Sequence, residues 1–245
     1  VTTLNYLTTS TTSEFAVAAN VIDTLVEYDK YGQVQPSLAE SWEYDHENLT
    51  YTFKLRKDAV WTNGDTVTAE DFAFAWSEVL NPAVASEYAY FLYFIENAEA
   101  YYNGECEWED VGIKQIDERT IQITTETPVD EAAFCTHFTT RSNYPVHPEL
   151  FEECLSSDRL TTTYGSDLEH WIGCGPYTFE RWEYDNIHIY TKNEDHWLAD
   201  YFNYDEVQVR IVPEMNARVE LFEQGEIFTL SPDANTIESY IDDPR

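Results

Sequence analysis

The fold is decided by residues 50–80, TYTFKLRKDAVWTNGDTVTAEDFAFAWSEVL. The first six of these residues alternate between polar and apolar side chains, and this alternation predicts a half-buried strand over 50–55. An asparagine-glycine pair further along signals a turn. Thr68 then stands where a helix cap belongs, Asp71 occupies the capping-box position, and a helical stripe of apolar residues follows. The stretch therefore predicts a strand, a turn and a helix over 69–80.

On both sides of this stretch, segments with apolar residues at helical spacing are interspersed with segments in which polar and apolar residues alternate as in strands. The predicted helices cover 14–25, much of 89–103, and 215–224. The predicted strands are a short one at 4–7, hairpins formed by 111–116 with 120–125 and by 177–182 with 187–192, a strand at 207–212 and a short strand from 226. Hairpins and helices in one chain without a flexible linker indicate a mixed α/β architecture.

The composition excludes one large class of partners. The chain has 245 residues, 47 acidic against 13 basic, and a formal net charge of −34. Because binding to phosphate backbones depends on clustered Lys and Arg, nucleic acid is not an expected partner, and neither is an anionic membrane surface. The excess of acid is interpreted as a solvated surface that favours solubility, with adaptation to salt or attraction of cationic ligands as alternatives.

The sequence contains no stretch that approaches the roughly 18 apolar residues of a membrane helix, and it does not open with a signal segment. We expect that an export signal has been removed. Its four cysteines form no CxxC pair and so indicate neither a zinc knuckle nor a thioredoxin-type site. Their number fits two disulfides outside a cell and four buried thiols inside one equally well.

The familiar catalytic motifs are missing. There is no GxSxG elbow, no HExxH pair and no phosphate-binding glycine loop. The six histidines have no spacing typical of metal ligands, so we expect neither a metal nor another cofactor. Paired carboxylates are frequent in so acidic a chain, and together with the 16% aromatic residues they leave a secreted carbohydrate-active enzyme as an alternative.

Several blocks of sequence, in order, resemble the large extracellular solute-binding proteins that serve oligopeptide, dipeptide and nickel importers. The blocks are PSLAESW at 36–42, LTYTFKLRK at 49–57 running on to TAEDF at 68–72, NP at 81–82 with SEYAY at 86–90, and GCGPY at 173–177. Further matches continue as far as GEI at 225–227, so the resemblance covers nearly the whole chain. Thr24, Cys174 and Phe228 depart from the residues usual in the family.

The resemblance implies a periplasmic-binding-protein-like α/β fold of the type II, three-lobed class, with mixed sheets and flanking helices. Residues 1–43 and 170–245 would form a split and incomplete first lobe, and 44–169 an inserted second lobe. The third lobe would be missing from this chain.

The function implied is that of the extracellular, non-catalytic substrate-binding component of an ATP-binding-cassette importer that takes up oligopeptides. The peptide backbone would pair with Thr11, Thr12 and Ser13 before the first helix, and Tyr88 of the second lobe would contact the ligand. Ser231 and Asp233 are weaker candidates for ligand contact. The other partner would be the membrane permease. The protein would be a monomer, either a cell-surface lipoprotein held to the membrane only by its lipid anchor or a periplasmic protein.

Alternative ligands within the family are a dipeptide, a nickel chelate, a sugar or another small solute, because relatives share the lobes and differ in the cleft. Since such receptors work where thiols oxidise, we also expect at least one disulfide among Cys106, Cys135, Cys154 and Cys174. The three complete pairings of four cysteines stay open.

Overall fold

The structure is a computed structural model and describes residues 1–9, 11–139 and 143–243. Its strands are β1 Val26–Tyr28, β2 Val34–Pro36, β3 Ala39–Asp45, β4 Thr50–Leu55, β5 Ile113–Asp117, β6 Thr120–Thr124, β7 Tyr177–Glu183, β8 Ile187–Lys192 and β9 Glu206–Arg210. Its α-helices are α1 Thr12–Val21, α2 Ala69–Leu80, α3 Ala98–Tyr102, α4 Glu131–His137, α5 Pro148–Cys154 and α6 Met215–Glu223. No helix in these three ranges is long and apolar enough to cross a membrane.

The strands form three antiparallel sheets. One contains β1 and β2, the second has the order β3-β4-β6-β5, and the third has the order β7-β8-β9. The second sheet contains the strand of the opening stretch, since β4 lies between β3 and β6. The combination of antiparallel sheets with helices confirms the predicted α/β class.

The alternation in β4 points one row of side chains into the core. Tyr51 and Phe53 are fully buried, and the ring of Tyr51 stacks on Phe134 of α4 with 3.6 Å between centroids and 7° between planes. Phe134 in turn contacts Phe138, with ring centroids 5.0 Å apart. Aromatic pairs of this kind contribute about 0.5–1.5 kcal/mol each beyond the area they bury, so α4 is fixed on the sheet mainly by aromatic packing.

Helix α2 begins and ends where the sequence predicts. Thr68 and Asp71 form the expected capping box, with the Thr68 amide donating to Asp71 Oδ2 at 2.9 Å. The same carboxylate oxygen accepts from Trp61 Nε1 at 2.8 Å. Phe72, with the rest of the helix's inner face, is buried. A capping residue therefore also anchors the loop that precedes the helix.

Four predicted elements differ from the structure. Residues 4–7 form no strand and run into a turn, and the Leu4 amide bonds to Gly165 O at 2.8 Å. Helix α1 starts earlier than expected, since Thr11 caps it, and ends at Val21 because Ile22 is extended. The helix over 89–103 is divided into a 3-10 turn and α3. The strand from 226 is not formed, and β3 begins at Ala39, in a stretch for which the sequence predicts no strand.

The expectation of a disulfide is wrong. All four cysteines lie among the described residues and all four are free, with Cys135, Cys154 and Cys174 buried. Burial raises the pKa of the Cys135 thiol to about 12, so it remains protonated and packs as a small apolar side chain. The cysteines here contribute volume to the core rather than crosslinks.

The predicted division into lobes at residues 43 and 170 stays a prediction. Strand β3 spans the first of these positions and pairs with β4 on both sides of it, from Ala39 opposite Leu55 to Asp45 opposite Thr50. If the division holds, β3 is the strand that leads from the first lobe into the second.

Replacing Asp71 with Asn should make the stability difference from the parent protein depend on pH. Burial raises the pKa of Asp71 from 3.8 to about 6, against the opposing effect of hydrogen bonds from Thr68 and Trp61 and of nearby His147. The folded protein therefore holds this proton more tightly than the unfolded chain, and the resulting stability is lost as the pH rises through about 6. We expect the free energy of unfolding of Asp71→Asn, taken relative to that of the parent protein, to rise by up to about 3 kcal/mol between pH 4 and pH 7.

Urea unfolding at both pH values measures this difference. Asp200→Asn, at an exposed position, is the control and should show a much smaller change between the two pH values. A pH-independent difference for Asp71→Asn would contradict the assignment.

Candidate functional site

The predicted ligand-contacting residues Thr11, Thr12 and Ser13 lie at the exposed start of α1. Thr11 caps the helix, and its side chain accepts from the Glu14 amide. Its hydroxyl also lies 3.4 Å from that of Ser13. The first amides of a helix have no partner within the helix, and they carry the positive end of its dipole. This turn therefore presents hydroxyls and backbone N–H groups that suit carbonyl or carboxylate oxygens.

A buried carboxylate holds this turn in place. Glu14 is only 2% exposed. Its Oε1 accepts from the Thr2 amide at 2.8 Å, the Thr2 hydroxyl at 2.7 Å and the Thr3 amide at 3.2 Å, and its Oε2 accepts from the Thr9 hydroxyl. One side chain thus joins the N-terminal segment, the loop before α1 and the helix itself.

Hydrogen bonding decides the charge of Glu14. Burial by itself would raise its pKa, but the hydrogen bonds from Thr2 and Thr3 favour the ionised form, and the pKa lies below its ordinary value. A buried carboxylate with this many donors is stable as an anion. Glu14 is therefore ionised at neutral pH and fixes the geometry of the turn that follows Thr9.

An aromatic stripe extends from the same helix turn. Phe15 of α1 meets Tyr88 edge to face with 5.5 Å between ring centroids. Tyr88 stacks on Phe91 at 5.6 Å, and Phe91 on Tyr90 at 4.4 Å. Tyr90 is exposed and Phe15, Tyr88 and Phe91 are partly exposed. The structure thus brings Tyr88 against Phe15, near the start of α1, although the two residues are far apart in the sequence; the role of Tyr88 and of the polar turn in binding stays a prediction.

Ser231 and Asp233 lie in a different setting. Both are exposed. The Asp233 carboxylate accepts from the amides of Asn235 and Thr236 and from the Thr236 hydroxyl, and the hydrogen bond from Thr236 is the main cause of its lowered pKa. Its side-chain partners therefore lie within its own turn.

The last part of the chain has a surface that nothing in the described structure covers. From residue 197 to residue 243 no residue is buried. Phe228 is 86% and Ile241 75% exposed, and α6 has no buried residue. Strand β9 pairs with β8 alone among the described strands, so its other edge is open. We call this region, residues 197–243, the C-terminal face.

Two of the histidines bond to carboxylates of the fold. The buried His196 bonds through Nε2 to Asp23 Oδ2 at 2.8 Å, an oxygen that also accepts from Trp197 Nε1 at 2.9 Å. His147 Nε2 lies 3.0 Å from Asp65 Oδ2. Within the described ranges no group of three or more His, Cys, Asp or Glu residues could hold a metal ion.

Sequence reasoning missed Glu14, and a signal for it was present. Thr11 followed three residues later by Glu14 is the capping-box pattern, which marks a helix start at Thr12 rather than at Glu14. The carboxylate does not complete this capping box, because it accepts hydrogen bonds from Thr2, Thr3 and Thr9 rather than from the amide of the cap residue. Those partners depend on tertiary structure.

The fold matches part of the structures of solved substrate-binding proteins. The structure aligns over its whole length with the substrate-binding domain of an oligopeptide ABC transporter from Bacillus anthracis, with a TM-score of 0.90 and 30% identity. It aligns over 98% of its length with Haemophilus influenzae OppA, crystallised with the peptide RPPGFSPFR, with a TM-score of 0.85 and 27% identity. The chain covers 46% and 47% of these two proteins.

Sequence comparison places the chain in one family. The model of the bacterial extracellular solute-binding proteins, family 5, matches residues 33–245, and the chain belongs to this family. A relative, the dipeptide-binding protein DppE of Bacillus subtilis, is 30% identical over 223 residues, which are 91% of this chain and 39% of DppE. The chain thus spans less than half the length of the relatives it matches, and the predicted resemblance is confirmed.

Replacing Glu14 with Gln should destabilise the protein at neutral pH. The amide would present an N–H₂ group where two backbone amides and two hydroxyls donate, so at least one buried donor loses its partner, at a cost of about 1–3 kcal/mol. Because the folded-state pKa of Glu14 is lowered, its stabilisation is present above the unfolded pKa and is lost as the pH falls through the folded value. The difference from the parent should therefore shrink in acid.

Chemical unfolding at pH 7 and pH 3 measures this difference. Glu40→Gln, at an exposed position of β3, should change little at either pH. A Glu14→Gln protein as stable as the parent at pH 7 would show that the threonine donors do not depend on the carboxylate.

Proposed function

We propose that this chain is part of the extracellular substrate-binding component of an ATP-binding-cassette importer, and that it binds oligopeptides without altering them. The observation that supports the proposal is the ring contact between Phe15, in the first turn of α1 after Ser13, and Tyr88. Membership of a family of solute-binding proteins supports it. The partner in transport is the membrane permease.

The two parts of this surface suit the two parts of a peptide. Every peptide carries the same backbone, and the polar turn offers unpaired helix amides and hydroxyls to its carbonyl groups. Side chains differ from peptide to peptide, and the stripe of Phe15, Tyr88, Phe91 and Tyr90 offers aromatic faces that accept apolar groups of many shapes. Such a surface favours binding with little dependence on sequence.

A second wall is needed to enclose the peptide. We infer that the C-terminal face packs against a third lobe, because residues 197–243 leave large apolar side chains such as Phe228 and Ile241 exposed and the relatives are more than twice as long. Ser231 and Asp233 would line the cleft from this side. Closure of two walls on the ligand excludes water and satisfies its charged ends.

Membership of a family of extracellular solute-binding proteins supports a location outside the cytoplasm. We place the protein outside the cytoplasm, in the periplasm or on the cell surface as a monomeric lipoprotein. A dipeptide is the runner-up ligand, since the relative DppE is named a dipeptide-binding protein. The exposed aromatic stripe favours the longer ligand, because a dipeptide is too short to reach from the polar turn along several rings.

Replacing Tyr88 with Ala should weaken peptide binding by about tenfold or more in the longer protein that contains this chain. Removing the ring deletes a contact area and disorders its neighbours Phe15 and Phe91, and loss of a well-placed aromatic at a binding surface typically costs at least about 1 kcal/mol. Titration calorimetry with a hexapeptide measures the affinity.

Tyr31→Ala is the matched control, because Tyr31 is 75% exposed in a turn away from α1, and it should leave the affinity unchanged. Mass spectrometry of the recovered peptide should find it intact. Unchanged binding by Tyr88→Ala would remove Tyr88 from the site, and reproducible cleavage would identify an enzyme instead.

The 245-residue chain should fold and yet bind the same peptide far more weakly than the longer protein. The core from Leu4 to Tyr190 supports folding, but an open wall leaves each peptide hydrogen bond competing with water, where it contributes only about 0.5–1.5 kcal/mol. Those bonds must also offset the ordering of a flexible peptide. Calorimetry on both proteins tests this, and equal affinity would show that no second wall takes part.

A further inference from the structure

A cavity lies beside the segment that precedes α1 and shares no lining residue with the aromatic stripe. It encloses about 460 Å³, a size within the range of small-molecule sites. Its walls come from three separate parts of the chain, namely the N-terminal segment with Leu7, the end of α2 with the loop that follows it, and α5 with the loop after it. We call it the α2–α5 pocket.

The walls of the α2–α5 pocket combine polar residues with a group of apolar side chains. Leu7 and Phe151 are buried in the core, while Val84 and Leu155 are half-buried and line the cavity. Leu160 stands at the opening and is 80% exposed. Where these apolar side chains line the cavity, they favour contact with a hydrocarbon group over contact with water.

One carboxylate in this pocket has no partner. Glu78 of α2 is half-buried and lines the cavity, and among the described residues none makes a hydrogen bond or an ion pair with its side chain. Burial raises its pKa, with Arg159 acting in the opposite direction and Glu152 in the same direction. A carboxylate in such a place gains most from a cation that brings its own hydrogen-bond donors.

The neighbouring cation, Arg159, already forms an ion pair with another carboxylate, that of Glu152. Arg159 donates from both terminal nitrogens to Glu152, with Nη2 at 2.9 Å from Oε1. Its backbone has φ of +57°, a left-handed conformation that costs a non-glycine residue free energy and is often associated with functional sites. The guanidinium is thus held at the rim by Glu152, and Glu78 remains the acceptor that faces the cavity.

We propose that the α2–α5 pocket binds small apolar molecules that carry a primary ammonium group, with the ammonium on Glu78 and the hydrocarbon part between Val84, Phe151 and Leu155. An anionic ligand does not fit, because Glu78 and Asp158 line the cavity and the only lining arginine is paired. This site is distinct from the proposed peptide surface, and its existence does not depend on the peptide-binding proposal.

The test compares two probes of the same shape, 3-methylbutylamine and 3-methylbutan-1-ol, by NMR on the isotope-labelled protein. The amine should shift the amide signals of Thr8, Leu155 and Leu160, which surround the cavity. The alcohol, which lacks the charge, should bind about tenfold more weakly, since a charge-assisted hydrogen bond is roughly twice as strong as a neutral one.

Glu78→Gln should lower the affinity for the amine to that for the alcohol, while Glu70→Gln, an exposed change on the same helix, should leave it unchanged. Absence of shifts at the cavity residues, equal binding of the two probes, or full binding by Glu78→Gln would each overturn the proposal. The comparison of the two probes on the parent protein decides the matter even if Glu78→Gln does not fold.

Discussion

The close backbone contact between residues 173–175 and the end of α1 is the constraint on which the rest of the structure depends. A Cβ atom at Gly173 would lie 2.1 Å from Val21 O, and one at Gly175 would lie 2.4 Å from Ile22 N, so only glycine allows this approach. The Gly175 amide donates to Val21 O at 3.0 Å, and the Thr62 amide to Gly173 O at 2.8 Å. Three distant parts of the chain thus meet within a few ångströms.

This contact fixes one end of α1, and Glu14 fixes the other. Beyond the contact, Asp23 accepts from His196 and Trp197 and so ties the residue after the helix to the segment that follows β8. At the N-terminal end, Glu14 collects the donors of Thr2, Thr3 and Thr9. A helix held at both ends presents Thr11–Ser13 in one orientation, and a preorganised surface loses less free energy to ordering when a ligand binds.

Sequence reasoning succeeded where the signal is local. The alternation of 50–55, the cap at Thr68 and the periodicity of 69–80 depend on residues close in sequence, and the structure places β4 and α2 at those positions. It failed where partners are distant. Leu4 bonds to Gly165 rather than to a strand, and Glu14 turns to threonines that no helical pattern indicates.

In the candidate site, too, contacts between distant residues could not be predicted from the sequence. Thr11, Thr12, Ser13 and Tyr88 were predicted from the family resemblance, but the Phe15 ring that joins the two groups has no signal in the sequence. The strong negative charge explains little of this geometry, because exposed ion pairs such as Arg181–Glu183 contribute at most about 1 kcal/mol. Aromatic packing and buried hydrogen bonds determine the surface instead.

Hydrogen–deuterium exchange of the longer protein with and without a hexapeptide tests the central claim most directly. The account predicts slower exchange on peptide binding at the amides of residues 11–15 and 88–92, because the ligand would cover the start of α1 and the aromatic stripe, with no change at the turn of residues 29–32. Protection confined to other parts of the chain would contradict the claim that this surface binds peptide.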